Sequence, residues 1–271
     1  LKQVEMIVKE IKKEKIKGPS GKLLRIELFC HGALCVSISG NCYMSLAVYN
    51  SPANRGVCLQ NCRRSYRVVD EETGNELVID NKYVMSPKDL CTIGFLDKII
   101  KAGVSVLKIE GRARPAEYVY TVTKAYKEAV ESLNINTYTP KKIKQWTKKL
   151  ESVYNRGFWH GGYYLGKKLG QWSGIHGSKA TMRKHYVGKV CHYFDKAQVA
   201  EIVLEAGKLK QYDYVLITGP TTGIVQVKAE IILRDDKKVA AAQKKDHVTV
   251  KVAEKVRKND KVYVIRQITS A

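Results

Sequence analysis

The chain has 271 residues, 44% hydrophobic and 27% charged, and contains no apolar run near the ~18 residues that cross a bilayer. With no basic opening, apolar segment and cleavage site in series, a soluble cytoplasmic protein without membrane contact is expected. Lys and Arg number 48 against 26 Asp and Glu, for a net charge of +22, which favours a polyanionic partner, nucleic acid before membrane because the basic residues are spread along the chain.

The alternative is a lysine-rich chain that uses its charge for solubility alone. Seven cysteines, an odd number, argue against a disulfide framework and for free or metal-bound thiols in a reducing compartment. The length predicts about two domains.

Leu1 to Lys17 places Val4, Ile7, Val8 and Ile11 at helical spacing and predicts an amphipathic helix ended by Gly18-Pro19. Leu23 to Phe29 alternates like a strand and runs into the densest stretch of the chain. Glu27 to Arg63 holds five of the seven cysteines, together with His31. A strand's C-terminal end is where α/β sheets and barrels keep their chemistry. A short helix is expected near Cys42, a turn at Ser51 to Gly56, and a hairpin from Tyr66 to Ile79 around Glu71 to Asn75.

Tyr83 to Met85 predicts a strand, Ser86-Pro87-Lys88-Asp89 a helix cap, and Leu90 to Ala102 a helix carrying Cys91 in its first turn. Val104 to Ile109 predicts a strand leading into Glu110-Gly111-Arg112, and a long helix follows from Ala116 to Leu133. This rhythm reads as α/β with parallel strands. A basic helix is expected from Pro140 to Tyr154. Beyond it, aromatics interleaved with Gly, Lys, Arg and His up to Lys179 suit either a nucleic-acid grip or a packed linker. From Tyr186 to Ile268 short alternating strands separated by turns predict a small all-β barrel. The expected domains are 1–184 and 185–271.

Cys35, Cys42, Cys58, Cys62 and Cys91 are separated by six, fifteen, three and twenty-eight residues. That does not match the paired CxxC of a zinc ribbon. It is compatible with a [4Fe–4S] cluster, which needs four converging thiolates but no fixed spacing. Cys30 and Cys191 alternate with apolar neighbours and read as small buried hydrophobes. A Cys35–His31 nucleophile pair, and with it proteolysis, stays open on the residues alone.

The block Glu27-x-Phe29-x-x-Gly32-Ala33-Leu34-Cys35-x4-Gly40-x-Cys42-x-Met44-Ser45 resembles the signature of the U32 family, the collagenase-like peptidases. Asn54-Arg55-Gly56-x-Cys58-x3-Cys62-Arg63, Ser86-x-Lys88-Asp89-Leu90-Cys91, Lys108-Ile109-Glu110-Gly111-Arg112 and Asn155-Arg156-Gly157-Phe158 stand where that family carries further blocks. The resemblance implies a partial TIM-like (β/α) barrel followed by a β-barrel similar to translation-factor domain 2. It also implies either peptidase activity or the family's O₂-independent hydroxylation of RNA bases or ubiquinone precursors, with a cysteine-bound cluster. A basic chain fits tRNA or rRNA, a wobble uridine or an rRNA cytidine, with prephenate as a candidate hydroxyl donor. A non-catalytic RNA-binding or assembly subunit is the third class.

Carried over by position, the resemblance makes Cys35, Cys42, Cys58 and Cys91 the cluster ligands, with Cys62 as a substitute. His31 and Glu110 become candidates for proton transfer, and Arg55, Arg63, Arg64 and Arg112 for binding phosphates or a carboxylated donor. The family's barrel has an N-terminal part that does not precede the signature strand here. A second chain or a missing N-terminal segment is therefore expected to complete it.

Overall fold

The computed structural model describes residues 1–35, 37, 42–76, 85–161, 164–166 and 170–268. It divides into two compact units, Leu1–Arg114 with Thr121–Lys179, and Pro115–Tyr120 with Ala180–Ala271. The predicted strand residues Tyr83 and Val84, the second half of the predicted hairpin and Gly40 of the signature lie outside the described residues.

In the first unit, helix α1 (Lys2–Lys13) ends before Gly18-Pro19, because Lys15 already turns the backbone to a φ of 52°. Its apolar side buries Ile11, and Val4 packs on a core built from Leu90, Phe95, Ile99, Val104 and Trp159. Strand β1 spans Glu27–Gly32, several residues beyond the start its alternation suggested. Pairing sets the strand: Glu27 pairs in parallel register with Val106, whereas Leu23 bridges back to Lys17. Helix α2 (Met44–Tyr49) follows in the cysteine stretch.

The largest departure is at residues 86–95. Strand β2 (Asp89–Cys91) replaces the first half of the expected helix, and helix α3 is only Leu96–Lys101. Ser86 caps nothing; it is buried, and its hydroxyl accepts from that of Ser173 at 3.3 Å. Every side chain of β2 is buried, and a segment inserted between two strands gains ladder bonds on both edges. Strand β3 (Val106–Ile109) is followed by α4 (Ala116–Asn134) and α5 (Pro140–Glu151). Thr139 caps α5 by accepting from the Lys142 N–H, with Pro140 at the first turn. Strand β4 (Phe158–Trp159) completes a sheet in the order β3-β1-β2-β4.

This sheet is mixed. The pairs β1–β3 and β2–β4 are parallel, but β1 and β2 run antiparallel, with His31 opposite Cys91. The expected all-parallel arrangement is thus corrected: alternation locates a strand, while its direction depends on which edge it joins. No closed (β/α) barrel is formed among the described residues.

The second unit carries β5 (Met182–Phe194), β6 (Val199–Leu204), β7 (Lys208–Lys210), β8 (Tyr214–Gly219), β9 (Gly223–Lys228), β10 (Ile232–Arg234), β11 (Lys237–Lys238), β12 (Ala241–Gln243), β13 (His247–Lys251) and β14 (Lys261–Gln267). Eight of them form a sheet in the order β11-β10-β13-β6-β5-β14-β8-β9, and β12 pairs with β7 separately. All these pairings are antiparallel. The expected small barrel is, among the described residues, an antiparallel sheet with edges at β11 and β9. Alternation in β6 buries Ala200, Ile202 and Leu204, which join Val187, Val190, Val248, Val250, Val262 and Val264 in one aliphatic core.

Gly188 stands where β5 crosses β6, and a Cβ there would lie 1.9 Å from the Val203 carbonyl oxygen. Backbone cannot yield as a side-chain tip can. Gly188→Ala is expected to cost about 1–3 kcal/mol, the usual scale for forced overpacking, read as a lower urea midpoint. An unchanged midpoint would show that the strands part freely.

Candidate functional site

The cysteine stretch is not left to wander. The Arg63 guanidinium donates through Nη2 to the Leu34 carbonyl and through Nη1 to the Met85 carbonyl at 3.5 Å, fixing the backbone beside Cys35 to that beside Cys62. Asn61 Nδ2 donates to the Met44 carbonyl at 3.0 Å, two residues from Cys42. The Leu59 N–H donates to Ser45 Oγ at 3.1 Å, drawing Cys58 to the same place. Four hydrogen bonds therefore tie residues 59–63 to Leu34, Met44, Ser45 and Met85.

The thiols report this convergence. Burial pushes the Cys62 thiol up, Arg63 pulls it down, and Cys58, Cys35 and Cys42 each push it further up. Cys35 is exposed, and Cys42, Cys58 and Cys62 are half-buried. Among the described residues no group of three or more His, Cys, Asp or Glu side chains is arranged to hold a metal ion, so the four thiols are neighbours and not a closed coordination shell. As a donor set they still suit iron–sulfur chemistry: soft, half-accessible sulfur ligands on loops, beside a guanidinium that offsets thiolate charge.

Cys91 lies elsewhere. It is fully buried in β2, and its thiol is pushed up to about 12 by burial. Cys30 shares that environment and is likewise pushed up to about 12 by burial and by Cys91. Cys191 is half-buried in β5 of the second unit.

His31 belongs to the core. It is 1% exposed, with rings of Tyr126 and Phe158 edge-on at 5.6 and 5.4 Å. Burial first, and the positive charge of Arg114 second, push its pKa down to about 3, so the imidazole is neutral and sealed from solvent. Tyr126 donates to the Cys30 carbonyl at 2.8 Å and accepts from the Thr92 N–H at 3.0 Å, joining α4 to β1 and β2. Sequence reasoning passed over Tyr126, since one tyrosine in a helix carries no local signal of a buried partner.

Glu110 follows β3, where its N–H donates to the His31 carbonyl at 2.8 Å and its carboxylate accepts from the Arg112 N–H at 2.8 Å. Lys108, two residues before it, pairs with Glu27 at 3.0 Å. Arg55, Arg64 and Arg112 are exposed. Arg64 donates to the Tyr49 hydroxyl and lies 5.3 Å from that ring's centre. Arg63 is half-buried.

A polar cluster sits beside the loop thiols. Asp89 is 1% exposed, with Arg156 Nη1 at 3.6 Å and Arg114 Nη2 at 3.9 Å. Its carboxylate also accepts the Arg156 backbone N–H at 3.2 Å, and Arg156 Nη2 donates to Gln60 Oε1 at 2.8 Å. Burial pushes the Asp89 carboxyl up against the pull of Arg114, Arg156 and Arg63.

A family model described as peptidase family U32 matches residues 4–174. The chain is 51% identical over 261 residues to a collagenase of Porphyromonas gingivalis, covering 96% of this chain and 63% of that protein. It is 38% identical over 271 residues to an uncharacterized protease of Methanocaldococcus jannaschii, covering 98% and 64%, and 32% identical over 207 residues to the tRNA hydroxylation protein P1 of Bacillus subtilis, covering 73% and 47%. The chain thus spans under two thirds of the length of these relatives. No helix among the described residues is long and apolar enough to cross a membrane.

The histidine has a pH signature. Its folded value of about 3 lies below the ordinary 6.5, so between these values the unfolded chain binds a proton that the folded chain refuses. The stabilisation is complete above pH 6.5 and is lost as pH falls toward 3. Urea denaturation is expected to show roughly 1 kcal/mol lost per pH unit below 6.5 from this group, and His31→Gln is expected to flatten that slope. Parallel slopes in the two proteins would contradict a buried neutral imidazole.

Proposed function

Because the chain belongs to peptidase family U32, we propose that it is an RNA-modifying member of that family, hydroxylating a base of tRNA or rRNA with an iron–sulfur cluster held by Cys35, Cys42, Cys58 and Cys62. The observation that carries this reading is the set of hydrogen bonds that ties the loop of Cys35 and Cys42 to that of Cys58 and Cys62, where Cys58, Cys35 and Cys42 each push the Cys62 thiol up. The assignment places Cys62 and not Cys91 as fourth ligand, since Cys91 is sealed in β2 next to Cys30. Four thiolates in water repel one another, and a multi-iron core removes that cost by bonding all of them.

When bound, such a cluster supplies electron transfer or, at an open iron, Lewis-acid binding of an oxygen donor. The protein's own groups do the rest. Arg63 sets the loop geometry through Leu34 and Met85 and adds positive charge beside Cys62. Glu110, half-buried at the strand end with its carboxylate oriented by the Arg112 N–H, is the candidate for moving a proton. His31, neutral and enclosed, is a positioning residue that packs β1 against Tyr126 and Phe158. Arg55 and Arg64, exposed and near Cys58 and Cys62 in sequence, and Arg112, exposed after β3, are the candidates for RNA phosphates.

A tRNA hydroxylation protein among the relatives and a net charge of +22 support an RNA substrate. The 51% identity to a collagenase favours a second reading as a peptidase. Chemistry disfavours a Cys35–His31 pair for it: a general base must reach the proton it takes, and His31 is enclosed while Cys35 is exposed.

Anaerobically purified protein is expected to be brown, with about four irons per chain. Cys62→Ser and Cys42→Ser are expected to lose most of that iron and Cys91→Ser to keep it. Iron retained in Cys62→Ser and lost in Cys91→Ser would reverse the fourth ligand, and iron-free protein that cleaves collagen would favour the peptidase. RNA affinity is expected to fall steeply with salt, each of Arg55→Gln, Arg64→Gln and Arg112→Gln lowering the slope of log affinity against log salt by about 0.7–0.9. A flat salt response would remove the phosphate contacts.

A further inference from the structure

The outward side of the second unit's sheet carries a patch that core packing does not explain. In β8, Val215 and Ile217 point into the aliphatic core, so Tyr214 points the other way. It pairs with Lys228 of β9 and with Ile265 of β14, and directly paired residues show their side chains on one face. Tyr214 is 60% exposed, and Tyr212, just before the strand, is 58% exposed. Lys228 Nζ lies 5.2 Å from the centre of the Tyr212 ring, so one lysine accompanies two open aromatic rings.

Tyr212 is held in that position against its own backbone preference. Its φ is 68°, in the left-handed region that a bulky side chain rarely adopts, and it is the only aromatic residue with a positive φ among the described residues. Hydrogen bonds impose this turn. The Tyr212 N–H donates to the Ala229 carbonyl at 2.7 Å, the Ala229 N–H to the Asp213 carbonyl at 2.9 Å, and the Lys210 N–H to the Asp213 carboxylate at 2.9 Å. Glycine or asparagine would suit that backbone better, yet the position carries a large ring in water. Strain kept at an exposed residue points to a contact outside the chain. The surroundings are basic, with Lys208, Lys210, Lys228 and Arg266 against Asp213 and Glu230. Arg266 Nη2 donates to the Lys208 carbonyl at 3.2 Å and stands 3.7 Å from Asp213.

We propose that Tyr212, Tyr214 and Lys228 form a stacking platform for a single-stranded segment of RNA, with bases on the two rings and Lys228 meeting a phosphate. Every base has a π-face, so such a platform holds unpaired nucleotides with little regard for sequence, and the cation adds attraction to the backbone. An acidic peptide would engage the cations and leave both rings in water, so nucleic acid is the partner that uses every group of the patch. The inference rests on the reading of the chain as an RNA-modifying protein, and deepens it by giving the second unit a share in holding the substrate, apart from the exposed arginines of the first. It does not depend on whether the thiols hold a cluster.

The test is fluorescence anisotropy of the whole protein with a short labelled oligouridylate, with the same strand in duplex with oligoadenylate, and with a labelled gelatin peptide. Tyr214→Ala and Tyr212→Asn are each expected to weaken oligouridylate binding by at least about fivefold, the lower end of what one stacked base contributes. Asparagine accepts a positive φ, so Tyr212→Asn keeps the turn and isolates the ring. Tyr214→Phe keeps the π-face and is expected to bind as the parent does. Lys228→Gln is expected to lower the slope of log affinity against log salt by about 0.7. Oligouridylate bound by both tyrosine variants as tightly as by the parent would overturn the platform and leave the RNA reading standing on the arginines of the first unit. No binding of oligouridylate or duplex to the parent would overturn both. Equal affinity for the duplex, whose bases stack on one another, would overturn stacking. A gelatin peptide that binds the parent and is lost in the same variants, while oligouridylate is not, would overturn the nucleic-acid class.

Discussion

The first unit depends on one buried carboxylate. Asp89 is its only buried acidic side chain among the described residues, and it sits in a strand whose side chains are all enclosed. It binds the backbone N–H of Arg156 and faces the guanidiniums of Arg114 and Arg156. Its neighbour Lys88 carries the connection onward, the Lys88 N–H donating to the Gln171 carbonyl at 2.8 Å. Removing one member of such a buried pair strands the other charge, which usually costs more than the pair itself contributes. The strand, the loop around Gln60 and the segment 155–157 are therefore committed to one arrangement.

From that commitment follow two different fates for cysteine. Thiols on β1 and β2 are enclosed by the sheet and α4, so burial keeps Cys30 and Cys91 protonated and inert. Thiols on the loops beyond β1 stay half-accessible and sit in each other's field. The distinction is one of dielectric and neighbours, since both sets are chemically the same side chain. The same division separates His31, held neutral in the core, from Glu110, which stays half-buried at the end of β3.

The second unit is simpler in its physics. One aliphatic core of Val, Ile, Leu and Ala residues lies under an antiparallel sheet, and in β13 the polar His247, Thr249 and Lys251 alternate outward. Its edges carry Lys237, Lys238 and Lys228, and charged edges resist unwanted pairing with other strands. Short-range alternation is sufficient to build such a sheet, which is why its strands were the most readable part of the chain.

By itself the sequence determined the elements whose signals are local. The α4 and α5 helices, the Glu71 to Asn75 turn and the strands after Met182 follow from periodicity and turn chemistry, and the motif blocks carried the family. Tertiary structure alone decided what depends on distance through space. It turned Asp89 to Cys91 from helix into strand, set β2 against the direction of β1, and enclosed His31 and the Cys91 thiol. Spacing along a chain records separation in bonds; which thiols share a field, and which strand edges meet, is fixed only when hydrogen bonds such as those of Arg63 and Asn61 close the loops.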